Sequence, residues 1–349
     1  MSNGEKPVNI DEIARIANVS RATVSRVING NPSVSKKTRL AVQQVINDLN
    51  YIPNAAARSL VSKKTNTIGV LVYNIMQPFW NGIFAGIEEY FSANDYSLIL
   101  ANSKSHLDIW DYKKEYKKNI KNLILRNVDG IIIALANDLD EEDIELLELS
   151  STPYVIIQNN LKEHMAYSVN VDNITGAYNA TRYLISLGHR RISHATGPIG
   201  SQISQDRVTG YLNAMKEAHI SVDNSYIVNC GFQFKDGYWS MKRILAQDTR
   251  PTAILFANDA TGFGAFLAAK EENISIPDDI SIIGFDQLAE TMDVAGLLPD
   301  LTTMRQPVIE IGVAAGQMLM KRFDSQDRID PILFPLTLHK GSTVRKLID

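Results

Sequence analysis

Two architectures are predicted in one chain: an N-terminal all-α helix-turn-helix headpiece and, behind it, an α/β core of two doubly wound parallel-sheet lobes. Three observations predict them. Residues 9–50 carry helical apolar spacing, caps and turns. From Thr67 onward, short β-branched runs alternate with helix-length stretches, the pattern of parallel strands buried on both faces. Charge divides at the same place. Residues 1–64 hold ten Lys/Arg against four Asp/Glu, whereas the rest of the chain holds 25 basic and 35 acidic side chains.

A length of 349 residues exceeds one ordinary domain. Hydrophobic content of 45% with 21% charged residues is that of a globular chain. No run approaches the roughly 18–20 apolar residues that span a bilayer. The opening "MSNGEKPVNI" lacks the apolar centre of an export signal, so a cytoplasmic location and no membrane partner are expected. A single cysteine, Cys230, excludes an internal disulfide and a CxxC metal cluster. A basic head on an acidic body suits a head that meets a polyanion; a solvated basic face is the other reading of charge alone.

In the head, Asn9 is placed to cap a first helix, with Glu12 completing a capping box. Ile10, Ile13, Ala14 and Ala17 follow helical spacing. Asn18 and Val19 make the turn, and Ser20 caps a second helix, "RATVSRVIN", which Gly30 ends. Val24, Val27 and Ile28 share its inner face, leaving Arg21, Ala22, Ser25 and Arg26 outside. A third helix runs from the Ser35 cap to about Asn50, with Leu40, Val42, Val45, Ile46 and Leu49 expected to be buried. Two short helices across a tight turn, buttressed by a third, make a helix-turn-helix unit whose second helix can enter a major groove. Arg26 is suited to a bidentate contact with guanine. Thr23, Ser25, Asn29, Ser35 and Thr38 are short donors suited to phosphates. A three-helix bundle with no DNA role is the plain alternative.

After "NYIPN", residues 55–61 are helix-prone but only about two turns long, too short to persist alone in water. Leu60 beside Arg58 suits a segment that folds against DNA and wedges an apolar side chain into a minor-groove step. An interdomain linker is the alternative, although linkers are usually richer in Gly, Pro and Ser.

The string "VNIDEIARIANVSRATVSRVINGNPSVSKKTRLAVQQVINDLNYIPNAAARSL" resembles, without gaps, the headpiece of the lactose–galactose repressor (LacI/GalR) family. That resemblance puts Arg21 and Ala22 at variable base-reading positions, Arg26 at a guanine-reading one and Leu60 at the intercalating lever. Ala22, being small, would offer an apolar contact in place of a hydrogen bond. Ser20, Tyr51, Asn54, Ala57 and Arg58 complete the set expected at DNA.

In the body the predicted strands are "TIGVLVY", "YSLILAN", "DGIIIAL", "TPYVIIQ", "SVNV", "RISHAT", "SYIVNC", "TAILFAND" and "ISIIGFD". Nine or ten strands exceed one such sheet, so two lobes are expected, breaking near residues 160–166. In open α/β sheets ligands bind beyond the carboxyl ends of strands. There stand Tyr73, Asn74, Phe79, Trp80, Gln158, Asn159, Ser204, Asp206, Arg207, Phe232, Asn258, Asp259 and Asp286. Polar groups mixed with aromatic planes suit a sugar. Asp172 and Asp259 are read first as helix caps, and Arg207 with Asp206 as a potential ion pair.

The family resemblance extends through "NVDGIII", "SLGHRRI", "GPIGSQISQDRVTGY", "PTAILFANDATGFGA", "IPDDISIIGFD" and "PDLTTMRQP". The body is thus similar to periplasmic-binding-protein-like cores. The resemblance implies an effector held by Arg207, Asn258 and Asp286 with Phe232 stacked on it; Gln306 joins this set. Gln158 departs from the acid that sugar-binding members frequently place there.

No phosphate loop, HExxH or GxSxG elbow occurs. The six histidines show no i,i+4 pair, so no catalytic group, metal or cofactor is expected. His189 is read as closing a helix, and Cys230 as a strand residue. The expected domains are residues 1–53 (headpiece), 54–66 (hinge helix and linker) and 67–349 (core). Within the core, one lobe spans about 67–162 and 306–324, the other about 163–303 and 325–349. The expected protein is a homodimeric transcription regulator, in the first instance a repressor. Its expected partners are palindromic double-stranded operator DNA and a small-molecule effector, a sugar or sugar phosphate. A purine or other metabolite is the alternative ligand. A solute-binding protein, an architectural DNA-binding protein and a sugar-processing enzyme are more remote readings.

Overall fold

A computed structural model describes residues 8–28, 30–51, 64–103, 109–135, 139–158, 167–287, 298–324 and 327–347. The chain divides into two units, Met1–Thr65 and Asn66–Asp349. In the first, α1 (Ile10–Ile16), α2 (Arg21–Ile28) and α3 (Lys36–Asp48) begin at polar caps. Asn9 Oδ1 accepts from the Glu12 N–H at 3.0 Å, Ser20 Oγ from Thr23 at 3.1 Å, and Ser35 Oγ from Thr38 at 3.2 Å. Asn18 takes the left-handed turn at φ 51°, and Gly30 ends α2 at φ 68°. Ile13, Ala14, Val24, Val27, Val42 and Ile46 form the core, with Val45, Leu49 and Tyr51 packed around it.

Leu40, expected inside, is 62% exposed. The buried stripe of α3 runs through Val42 and Ile46, and a position two residues before Val42 lies about 200° around the helix from it. The helix also stops at Asp48, and Asn50 follows at φ 48°, left-handed and unable to continue it.

The second unit alternates β1 (Thr67–Val72), α4 (Pro78–Ser92), β2 (Ser97–Asn102), α5 (Ile109–Leu125), β3 (Gly130–Ala134) and α6 (Glu141–Leu149). There follow β4 (Tyr154–Ile157), β5 (Ser168–Val171), α7 (Asn173–Ser186), β6 (Ile192–Thr196), α8 (Gln202–Glu217), β7 (Ile227–Asn229) and α9 (Phe234–Leu245). The chain ends through β8 (Ala253–Phe256), α10 (Asp259–Glu271), β9 (Ser281–Asp286), β10 (Thr303–Arg305), α11 (Val308–Asp324), β11 (Ile332–Phe334) and β12 (Thr337–His339).

One six-stranded sheet has the order β11-β5-β4-β3-β1-β2, the other β12-β10-β9-β8-β6-β7. The first is parallel throughout. The second has one antiparallel edge, β12 on β10. Strands such as β3 and β9 are buried at every residue, as continuous apolar runs between helix layers require.

Strand membership corrects the expected lobe boundaries in two places. β5 pairs with β4, so the first lobe continues past residue 162 to Val171. β11 pairs with β5 (Ile332 opposite Val169), so part of the segment after residue 324 returns to the first sheet. The lobes are therefore joined three times, between β5 and α7, between β10 and α11, and between β11 and β12. α7 packs Ala177, Ala180 and Leu184 under the second sheet; α11 packs Ile311, Ala315 and Met318 under the first. The break expected near residues 160–166 lies outside the described residues.

α4 and α11 touch backbone to backbone. A Cβ on Gly86 would lie 2.1 Å from the Ile309 carbonyl oxygen, and one on Gly312 2.2 Å from that of Ile83.

Candidate functional site

On the head, Arg21, Ala22 and Arg26 are exposed along α2, while Val24 and Val27 are buried behind them. Neither α2 nor α3 has an acid in its first turn, so the positive helix ends are uncompensated. Lys36 and Lys37 extend that field at the start of α3. Arg21 lies 3.8 Å from Asp11 in an exposed pair, worth little in solvent. Ser20 and Ser35 are exposed, Thr23, Ser25 and Thr38 half-buried. Their hydroxyls are shared within caps: Ser20 with Thr23 at 2.9 Å, and Ser35 with Thr38 at 2.9 Å. Tyr51 packs on the head core. Asn29, Asn54, Ala57, Arg58 and Leu60, and the hinge helix expected at residues 54–61, lie outside the described residues.

In the second unit, a cavity opens where the strands of both sheets end. Tyr73, Gln77, Phe79 and Trp80 line it from the segment after β1, and Gln158 from the end of β4. Ile203 and Arg207 come from α8, with Phe232, Asn258, Asp286 and Gln306 following β7, β8, β9 and β10. These include every residue proposed from the sequence for the effector except Asn74 and Ser204. Asn74 instead accepts from the Met76 N–H at 3.1 Å, shaping its own loop. Ser204 is buried against the Gly197 backbone. Gln77 and Ile203 were not foreseen. Gln77 is the N-cap position of α4, and Ile203 lies one helical turn before Arg207, a spacing that would have found it. Asn159 lies outside the described residues.

The walls combine aromatic planes with few charges. Phe79 meets Trp80 edge-on at 4.9 Å and 85°, and Tyr73 meets Trp80 at 6.0 Å and 57°. Arg207 donates from Nε to Asn173 Oδ1 at 2.9 Å and from Nη1 to the Ala257 carbonyl. Its guanidinium lies 3.8 Å over the Phe285 ring. Burial draws its pKa down to about 10, against the pull of Asp286, Asp259 and Asp206. Asp206 accepts from Gln202 at 2.8 Å.

Asp286 sits at φ 118° and accepts from Gln306 Nε2. Burial pushes its pKa up to about 7, with Arg207 and the Gln306 hydrogen bond opposing.

The cap expected of Asp259 falls to its neighbour Asn258. Asn258 is the helix cap: its Oδ1 accepts from Thr261 N–H at 3.0 Å and its Nδ2 donates to the Phe232 carbonyl at 3.1 Å. It therefore positions Phe232 while lining the cavity. Asp259, expected to cap, is fully buried and accepts from Thr303 Oγ1 at 2.6 Å. Asp172 caps α7 as expected, accepting from Thr175. His189 closes α7 as expected, its N–H donating to the Leu184 carbonyl at 3.2 Å, and its ring joins Thr252 (2.9 Å) to the Arg345 carbonyl (3.1 Å). Cys230 directly follows β7 and is half-buried, its thiol pKa raised by burial. Among the described residues, no group of three His, Cys, Asp or Glu side chains could hold a metal ion, and no helix is long and apolar enough to cross a membrane.

Comparison with known proteins covers both units. Residues 9–54 match the family model described as bacterial regulatory proteins, lacI family. Residues 65–341 match that of periplasmic binding proteins and sugar binding domain of the LacI family. The chain is 36% identical over 312 residues to the ribose operon repressor of Haemophilus influenzae, covering 89% of this chain and 90% of that protein. It is 32% identical over 340 residues to the transcriptional repressor PurR of Pasteurella multocida, covering 97% and 98%. Among solved structures, the Lac repressor dimer bound to operator and the anti-inducer ONPF superposes with a TM-score of 0.85 at 27% identity, covering 97% of this chain and all of that one.

Proposed function

We propose, from the premise that this chain belongs to the LacI family of bacterial regulatory proteins, how its two units divide the work of a DNA-binding transcription repressor under small-molecule control. The head reads a palindromic operator as part of a homodimer, with α2 in the major groove and Arg21, Ala22 and Arg26 toward the bases. Ser20, Thr23, Ser25, Ser35 and Thr38 hold the phosphates, together with the uncompensated ends of α2 and α3. The core takes the effector in the cavity between the sheets. The sugar reading has the stronger support: polar groups surround aromatic planes, and the ribose operon repressor is a relative. PurR relatives keep a purine as the second reading. We read the chain as a cytoplasmic regulator without enzymatic activity.

One observation carries the core assignment. Side chains from β1, β4, α8 and the ends of β7–β10, far apart in sequence, converge on a single cavity. An effector that prefers one arrangement of the two lobes shifts operator affinity by its differential binding.

The head assignment is tested by Arg26→Ala. Footprinting should show operator preference lost while weak, salt-sensitive DNA association survives. Unchanged preference would remove Arg26 from the reading surface.

A further inference from the structure

We infer that the effector is an uncharged, hydroxyl-bearing molecule, read by Gln158 on one wall of the cavity and by Gln306 with Asp286 on the other. This rests on the cavity being the effector site.

Gln158 is 7% exposed, and both ends of its carboxamide, Oε1 and Nε2, are buried without a partner among the described residues. The statement holds whichever way the amide is turned. Its backbone sits at φ 61° and donates to the Val169 carbonyl at 2.8 Å, which fixes where the side chain starts. A buried amide with neither end bonded is unfavourable unless a ligand supplies the partners. Gln306, 3% exposed, uses Nε2 on Asp286 but leaves Oε1 without a partner among the described residues.

Two orphan acceptors and one orphan donor group thus belong to side chains lining the same space. Hydroxyls both donate and accept, so a polyol can satisfy all three. A fully ionised phosphate or carboxylate only accepts. It would serve Gln158 Nε2 and set its lone pairs against both Oε1 atoms.

The charge balance agrees. Among the described lining residues, Arg207 and Asp286 are the only formally charged ones, with no lysine and no histidine. Arg207 is committed to Asn173, Ala257 and the Phe285 ring, and it faces Asp286, Asp259 and Asp206. Among the described residues, a dianionic ester would find no spare cation and three nearby carboxyls to repel it. Gln158 is therefore a specificity-determining residue: a carboxamide at that position adds no charge to a balanced site.

The test uses the full-length protein in calorimetric and thermal-shift titrations. The probes are D-ribose, D-glucose, D-galactose, ribose 5-phosphate, glucose 6-phosphate and hypoxanthine, each against wild type, Gln158→Leu, Gln158→Asn and Asp286→Ala. At least one uncharged sugar should raise Tm and bind about tenfold or more tightly than its phosphate ester. Gln158→Leu should weaken that sugar about tenfold or more. Asn tolerates the left-handed backbone, so Gln158→Asn should keep the ligand-free Tm and show an intermediate affinity.

The inference is overturned if no uncharged sugar shifts Tm, if an ester or hypoxanthine binds more tightly than every sugar, or if Gln158→Leu leaves sugar affinity intact. An ester whose binding is lost in Asp286→Ala but kept in Gln158→Leu would overturn this inference and leave the cavity standing as the effector site. Binding untouched by Asp286→Ala would overturn both.

Discussion

Asp286 is held with its carboxyl pKa near 7 by burial, on a left-handed backbone, with one amide donor beside it. An unfolded aspartate ionises near pH 4. Its folded pKa is raised, so its contribution favours the folded core most at low pH, declines as pH rises through about 7 and is flat above that. Ligand hydroxyls donate best to the ionised carboxylate. Effector binding should therefore release a proton, and affinity should climb as pH passes about 7. Calorimetry in buffers of different ionisation enthalpy measures that proton directly. Asp286→Asn should flatten the pH profile, and a profile that persists in the variant would assign the proton elsewhere. Arg207, the other charged residue among the described lining, stays protonated throughout this range.

At the scale of elements, α4 and α11 are bound through their glycines, and this links two walls of the cavity. α4 begins beside Phe79 and Trp80, and α11 begins two residues after Gln306. Gly86→Ala would drive a methyl against the Ile309 carbonyl and should cost about 1–3 kcal/mol in urea unfolding. A neutral result would mean that the helices can part freely. The same scale shows what was legible. Apolar runs announced β1, β3, β4, β8 and β9 because nearly full burial leaves little polar alternation to confuse the reading. The three-residue strands β10, β11 and β12 are too short for any period. Strand order is a tertiary fact, so β5 was assigned to the wrong lobe. The strand-end rule found most of the cavity. It could not tell whether Asn258 or Asp259 would cap α10, since either side chain serves. Leu40 misled because apolar character was counted without its angle around α3.

At the scale of the whole molecule, Phe234, Trp239 and Leu267 leave large apolar surfaces exposed on α9 and α10. Tyr238 reaches across to Glu271, one turn beyond Leu267. An exposed apolar face of this kind suits contact with a second copy of the chain. Trp239, 64% exposed in the single chain, has little folding role to lose. Trp239→Glu should give monomers in sedimentation equilibrium and weaken operator binding steeply, because two heads then no longer act as one. Dimers that persist in the variant would move the contact to another face.

The outermost strand of the first sheet comes from residues 332–334, although its neighbour was made more than 150 residues earlier. A ribosome must therefore deliver almost the whole polypeptide before β5 meets its last partner. Until then a bare strand edge invites pairing with other nascent chains. A premature stop ahead of residue 332 should yield insoluble product, even though the cavity-lining positions and the entire headpiece would already have been translated.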